Sequence, residues 1–145
     1  MHTKSFLSEY EVSHLLATAR QLAQARNWAV AIAVVDDGGH PLGLLRLDGA
    51  APIAGYIASE KARTAALGRR DSKAYEDMIN AGRQAFLSAP NLQGMLEGGV
   101  AIWYEGHCIG AIGVSGVKPE EDAELAGLVV DALFRQAVDT PSVHS

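Results

Sequence analysis

The length, composition and charge of the chain fit one globular domain and exclude several other classes. Its 145 residues are 48% hydrophobic and 20% charged, which excludes a disordered or fibrous protein and allows a core without disulfides. A net charge of -5 indicates no basic surface for nucleic acid. The single cysteine, Cys108, excludes an internal disulfide or a multi-cysteine zinc site. We find no stretch resembling a signal peptide or membrane span, so we expect a cytoplasmic protein.

The first predicted element is an amphipathic helix. Ser8 and Glu11 match a capping box, and an apolar stripe at helical spacing runs from there towards Asn27. His14 falls beside this stripe, where a histidine is usually a surface or half-buried residue. A role as a ligand is the alternative, because histidine is the commonest metal ligand.

A predicted hairpin follows the first helix. Residues 28–35 are apolar throughout, which is typical of a strand covered on both faces, and residues 36–41 have turn chemistry. The next run alternates and places Arg46 and Asp48 on one face, near the end of the strand. These two side chains would either pair with each other or jointly hold a polar ligand.

The middle of the chain predicts two helices and a long connection. Pro52 suits a first helical turn, and small residues form one face of a helix that reaches Gly68. Lys61 and Arg63 lie on this helix, where they either solvate it or contact an anion. Ser72 is a plausible cap for a shorter helix over residues 73–82, and an irregular connection leads from there to Gly99.

A second hairpin is predicted over residues 98–116, with Gly106 and His107 as its two-residue loop. Alternation predicts one face with Cys108, Gly110, Ile112 and Val114, and the other with Ile109, Ala111, Gly113 and Ser115. A glycine on each face indicates that a helix, another backbone or a ligand packs closely there. The pair Gly98-Gly99 is the better candidate for a ligand site, because its amides are accessible to an anion.

The last predicted helix starts at Pro119, with three acidic residues in its first turn, and continues to Asp139. The order of elements is helix, two strands, two helices, two strands, helix. This order predicts an α+β domain with helices packed on an antiparallel sheet. We expect residues 1–145 to form a single domain with frayed ends at residues 1–7 and 140–145.

Several motifs together resemble those of the GlcG/HbpS family, whose members include haem-binding HbpS and the C-terminal domain of PduO. The resemblance covers residues 28 to 133, with alanine at position 101 where the family usually has proline. The motifs are Val34-Val35-Asp36-Asp37-Gly38-Gly39-His40, Arg46-Leu47-Asp48-Gly49, Ala51-Pro52-Ile53-Ala54, the run from Glu60 to Arg70, Leu96-Glu97-Gly98-Gly99-Val100, and Gly110-Ala111-Ile112-Gly113-Val114-Ser115-Gly116.

The resemblance implies a profilin-like fold, a homo-oligomer, haem or corrinoid binding in some members, and an accessory role in a catabolic operon of the glycolate type. It identifies no axial ligand by position. A tetrapyrrole needs an apolar slot, an axial donor and cations for its propionates, and the sequence contains candidates for each.

Three functions remain open from the sequence. The first is a module that binds haem or a small carboxylate, and its predicted site consists of Asp48, Lys61, Arg63, Glu97, Gly98, Gly99 and Ser115. The second is an enzyme acting on a small metabolite, with Asp48 or Glu97 as acid or base and Lys61 or Arg63 holding a carboxylate. The third is an assembly partner of operon enzymes, for which exposed aromatic residues Trp103 and Tyr104 would suit an interface.

Overall fold

The computed structural model describes residues 1–139, with side chains described up to residue 135, so the predicted frayed end at residues 140–145 lies outside it. Its helices and strands confirm the predicted order. They are α1 (Glu9–Ala25), β1 (Ala31–Val35), β2 (Pro41–Arg46), α2 (Pro52–Gly68), α3 (Lys73–Asn80), a 3₁₀ turn (Gln84–Ser88), β3 (Gly99–Tyr104), β4 (His107–Ser115) and α4 (Pro119–Asp139). No helix among the described residues is long and apolar enough to span a bilayer.

The strands form one antiparallel sheet in the order β2-β1-β4-β3, so the two hairpins meet along β1 and β4. Ala31 lies opposite Ser115, and Val35 lies opposite Ala111. Every residue of β1 is buried, as expected for a strand covered on both faces. The predicted α+β class, with helices packed on an antiparallel sheet, is confirmed.

The two faces of the sheet carry different cores. Helices α1 and α4 cover one face and bury large aliphatic side chains such as Leu15, Ile112 and Val129. Helix α2 covers the other face, where alanines dominate the buried cluster. Leu7 is buried in the first core, whereas residues 1–6 are exposed.

Helix α2 approaches the sheet closely because both surfaces lack bulk. A Cβ atom on Gly113 would lie 2.1 Å from the carbonyl oxygen of Ala58 and 2.6 Å from the amide nitrogen of Ala62. No side chain fits in that gap. Close packing of a helix therefore explains this strand glycine, in preference to a ligand.

A bulge in β4 corrects the predicted faces of two residues. Ile102 lies opposite Gly110 and Trp103 opposite Cys108, so Ile109 has no partner across the strand pair. Ile109 consequently enters the aliphatic core and Cys108 the alanine-rich core, which is the reverse of the prediction for both. Gly110 supplies the positive φ of +156° that accompanies the bulge.

Two local predictions also need correction. The loop of the second hairpin is Glu105-Gly106, with positive φ at both residues, and His107 already pairs with Tyr104. The capping box at α1 does not form, because the Ser8 hydroxyl donates to the carboxylate of Glu11 and accepts no backbone amide.

We predict that Gly113→Ala lowers the free energy of unfolding by about 3 kcal/mol or more, the upper end of overpacking effects. The added methyl group would meet the backbone of α2. The matched control is Gly55→Ala in α2, where no neighbouring atom lies within 4 Å of the new Cβ. Urea denaturation should show a gain of about 0.5–1 kcal/mol for this control. An unchanged Gly113→Ala would contradict the close approach of α2.

Candidate functional site

Lys61, a predicted ligand residue, forms a buried ion pair. Its Nζ atom donates to Oδ2 of Asp122 at 3.1 Å and to the carbonyl oxygen of Val114 at 3.0 Å. The two side chains are only 4% and 2% exposed. The pair therefore connects α2 to the end of β4 and to the first turn of α4.

The environment of Asp122 opposes its ionisation. Burial raises the pKa of the Asp122 carboxyl, and the Lys61 ammonium and the backbone N–H of Val117 offset that rise only in part. The N–H of Val117 donates to Oδ1 at 3.2 Å, so both carboxylate oxygens have a partner. Because each carboxylate oxygen accepts a hydrogen bond, the cost of burying the charged pair is offset.

The glycine pair lies beside Lys61, as the sequence predicts, but no open cleft separates them. A Cβ atom on Gly98 would lie 2.7 Å from Nζ of Lys61, and a Cβ atom on Gly99 would lie 2.2 Å from the backbone carbonyl oxygen of Lys61. The Gly99 amide already donates to the Ser72 hydroxyl at 2.8 Å. The Lys61 side chain thus fills the space that was predicted to hold an anion. The Ser72 hydroxyl accepts the hydrogen bond from the Gly99 amide that was predicted to bind this anion.

The other predicted site residues are dispersed around this pair. Arg63 is partly exposed, lies 3.9 Å from Glu60 and packs its stem against Gly39. Glu97 is half-buried in the segment before Gly98, and Ser115 is buried at the end of β4. The structure therefore brings Lys61, Gly98 and Gly99 together.

Asp48 lies elsewhere, in a groove between the C-terminal turn of α1 and the end of β2. Arg46 and Arg20 line the same groove. Among the described residues no ion pair joins Arg46 to Asp48, so the predicted alternative of a mutual salt bridge is wrong.

Three buried polar atoms of the described residues have no hydrogen-bond partner: His14 Nε2, Glu60 Oε2 and Thr64 Oγ1. Of these, only the imidazole nitrogen is an ordinary axial ligand of haem iron. The Tyr10 ring stacks on His14, with centroids 6.4 Å apart and planes within 5°. Among the side chains that the structure describes, up to residue 135, no group of three or more His, Cys, Asp or Glu is arranged to hold a metal ion.

The architecture is that of a small α+β domain whose sheet carries a tightly packed helix on one face and two helices on the other. The model of a protein family described as "haem degrading protein HbpS-like" matches residues 7–131. The chain belongs to this HbpS-like family, which confirms the resemblance noted from its motifs.

Individual relatives support the assignment. The chain is 56% identical over 115 residues to the protein GlcG of Escherichia coli K12, which is 79% of this chain and 85% of GlcG. Its fold is similar to that of an HbpS double mutant from Streptomyces reticuli, with a TM-score of 0.81, 26% identity and coverage of 92% and 90% of the two chains. A PduOC:haem complex matches with a TM-score of 0.80, 27% identity and coverage of 88% and 95%.

Three residues that define these sites are not predicted from the sequence. Asp122 was interpreted only as an acid at a helix start, although it neutralises Lys61. Ser72 was interpreted as a cap, but its hydroxyl makes no capping hydrogen bond to α3; it accepts from the Gly99 amide and donates to the carbonyl of Leu96. Arg20 gave one signal, a long cation on the polar side of α1, but only the packing of α1 on β2 places it beside Asp48.

We predict that Lys61→Met lowers the free energy of unfolding by about 3–5 kcal/mol, because the Asp122 charge is left buried without a partner. Asp122→Asn should also destabilise, and the double variant should lose less than the sum of the single variants by about 0.5–3 kcal/mol. Lys73→Met is the control, since the Lys73 pair with Asp77 is exposed and its loss should change little. Strict additivity in urea denaturation would contradict the coupling.

We also predict that the free energy of unfolding of Lys61→Met depends on pH through Asp122. In Lys61→Met, Asp122 should bind its proton more tightly in the native than in the unfolded state, where its pKa is near the ordinary 3.8. The native state then binds more protons, so the free energy of unfolding should rise as the pH falls towards that value. The difference between Lys61→Met and Lys61→Met/Asp122→Asn isolates this carboxyl. A difference that does not vary with pH would show that Asp122 is not desolvated.

Proposed function

We propose that this protein binds haem and acts as an accessory of a catabolic operon of the glycolate type. Membership of the HbpS-like family and similarity to the PduOC:haem complex support the cofactor. The 56% sequence identity to GlcG supports the accessory role. The observation on which the proposal rests in this chain is the unpartnered Nε2 atom of His14.

His14 fits the requirements of an axial ligand. It lies on α1, whose backbone fixes its position, and its buried nitrogen is not used by any described hydrogen-bond partner. The stacked Tyr10 is 71% exposed, which leaves its side chain room to rotate away from the imidazole. Phe6, four residues earlier, is 76% exposed and adds an aromatic surface at the same end of the helix.

Haem, when bound, supplies a redox-active iron. His14 would contribute an imidazole nitrogen to the iron, and the aromatic rings of Tyr10 and Phe6 would offer apolar contact to the macrocycle. The remaining described histidines are less suited: His2, His40 and His107 are exposed, in the N-terminal segment, the first hairpin turn and the start of β4.

We predict that titration with haemin produces a saturable Soret shift and that His14→Ala weakens haemin binding at least tenfold, because the donor is lost. His107→Ala is the matched control, since this exposed histidine should leave the titration unchanged. Equal melting temperatures of the two variants would show that both are folded. Absence of a Soret shift in the parent protein, or equal effects of the two substitutions, would overturn the proposal.

We also propose that the protein forms a homo-oligomer through β2. The outer edge of β3 is blocked, because Gly99 and Ala101 donate to Ser72 and Asp71. Strand β2 is the other edge of the sheet, and its Leu42 and Leu44 are 41% and 55% exposed. An uncovered edge strand with exposed leucines favours pairing with a second copy.

Leu44→Glu should therefore reduce the assembly size measured by size-exclusion chromatography with light scattering. The added charge would be buried unpaired in the interface. Leu87→Glu, at a leucine on the 3₁₀ turn that is 63% exposed, is the control and should leave the assembly intact. A monomeric parent protein at micromolar concentration, or dissociation by Leu87→Glu alone, would contradict this interface.

A further inference from the structure

The groove that holds Asp48 has the size and the lining of a ligand site. Its volume is about 540 Å³, within the range of small-molecule pockets, and it opens between the end of α1 and the end of β2. Polar and apolar groups share its wall. Its lining includes Arg20, Trp28, Arg46, Leu47 and Asp48.

The charges in the groove have no partners among the described residues. Neither Arg20 nor Arg46 takes part in any of the ion pairs found there, and the same holds for Asp48. The neighbouring Arg26 is different, because it lies over the Trp28 ring at 5.3 Å and 3.7 Å from Glu124. The side chains of Arg20, Arg46 and Asp48 are exposed, so their charged groups are accessible to a ligand from solvent.

The backbone around the groove is fixed by the fold. Asn27 adopts a left-handed conformation, with φ of 56°, and the N–H of Trp28 donates to the carbonyl of Ala23 at 2.9 Å. On the opposite wall the N–H of Leu47 donates to the carbonyl of Val30 at 2.9 Å. These bonds hold the backbone of one wall to the end of α1 and the backbone of the other wall to Val30, just before β1.

We propose that this groove binds a small organic carboxylate that also carries a hydroxyl or amino group. Guanidinium groups at Arg20 and Arg46 match the planar carboxylate, as bidentate pairs do elsewhere in proteins. Asp48 accepts a hydrogen bond from the second polar group of the ligand. Trp28 and Leu47 contact its carbon skeleton, and the volume admits a ligand with a ring or a short chain.

This site does not depend on haem, because none of its lining residues is a histidine, cysteine, methionine or tyrosine. His14 lies earlier on α1 and does not line the groove. Haem binding at His14 and carboxylate binding in the groove can therefore be tested separately, and a negative result for one does not contradict the other.

The test uses matched pairs of acids that differ by one hydroxyl group. Phenyllactate is compared with 3-phenylpropionate, and lactate with propionate, by isothermal titration calorimetry of the full chain. Because the chain contains two tryptophans, Trp103→Phe leaves Trp28 as the single fluorescent reporter in the groove. We expect saturable binding of the hydroxy acids, tighter than that of their partners, with a change in Trp28 fluorescence.

The variants identify the groups responsible. Arg20→Gln and Arg46→Gln should each weaken binding about tenfold or more, as expected for loss of a charged hydrogen-bond partner. Arg83→Gln, at an exposed arginine that lies over Phe86, is the matched control and should leave binding unchanged. Asp48→Ala should abolish the preference for the hydroxy acid, while binding of 3-phenylpropionate is retained or improved.

Three results would overturn the proposal: no saturable heat with any of the four acids, binding that Arg83→Gln weakens as much as Arg46→Gln does, or binding without a response of Trp28. Equal affinity for inorganic phosphate and phenyllactate would reject a carboxylate site in favour of a general anion site. A preference for the hydroxy acid that survives Asp48→Ala would remove Asp48 from the site.

Discussion

The close contact between α2 and the sheet is the constraint on which the rest of the structure depends. Gly113 on β4 and the alanine face of α2 allow the two backbones to approach until no side chain fits between them. Such an approach buries everything on that face of the helix, including the long side chain of Lys61. The ammonium group must then find its partners inside the protein, and Asp122 and the carbonyl of Val114 supply them.

This constraint explains why the glycine pair has a structural role. Gly98 and Gly99 leave room for Lys61 and for the backbone of α2, and the Gly99 amide is satisfied by Ser72. Because the Lys61 ammonium is paired with Asp122 and the Gly99 amide is hydrogen-bonded to Ser72, neither group is free to bind an anion. Two of the polar groups without a partner among the described residues, the His14 imidazole nitrogen and the Arg20 guanidinium, lie on the other side of the sheet, at α1.

The sequence was sufficient for the order of the elements, the shared sheet and the close packing at the strand glycines, because these follow from periodicity and turn chemistry. The sequence was insufficient where one extra residue in a strand determines which face a side chain takes, or where a residue far along the chain is the partner of a buried charge. The bulge at Ile109 exchanges the faces of Ile109 and Cys108 without a local signal beyond Gly110. The pairing of Lys61 with Asp122 joins residues that are 61 positions apart, so only the fold, which brings α2 and the first turn of α4 to the end of β4, reveals it.

Helix α1 combines two separate roles because of its geometry. Its buried stripe, which includes Val12, Leu15 and Ala19, attaches it to the sheet, and Gly43 on β2 lets Leu16 approach closely. His14 and Arg20 are six residues apart, which on an α-helix places them about 9 Å apart along the axis and about 120° apart around it. The imidazole and the guanidinium therefore point to different sides of one rigid element. A ligand at either position would leave the core contacts of the helix intact, so occupancy of one site requires no rearrangement at the other.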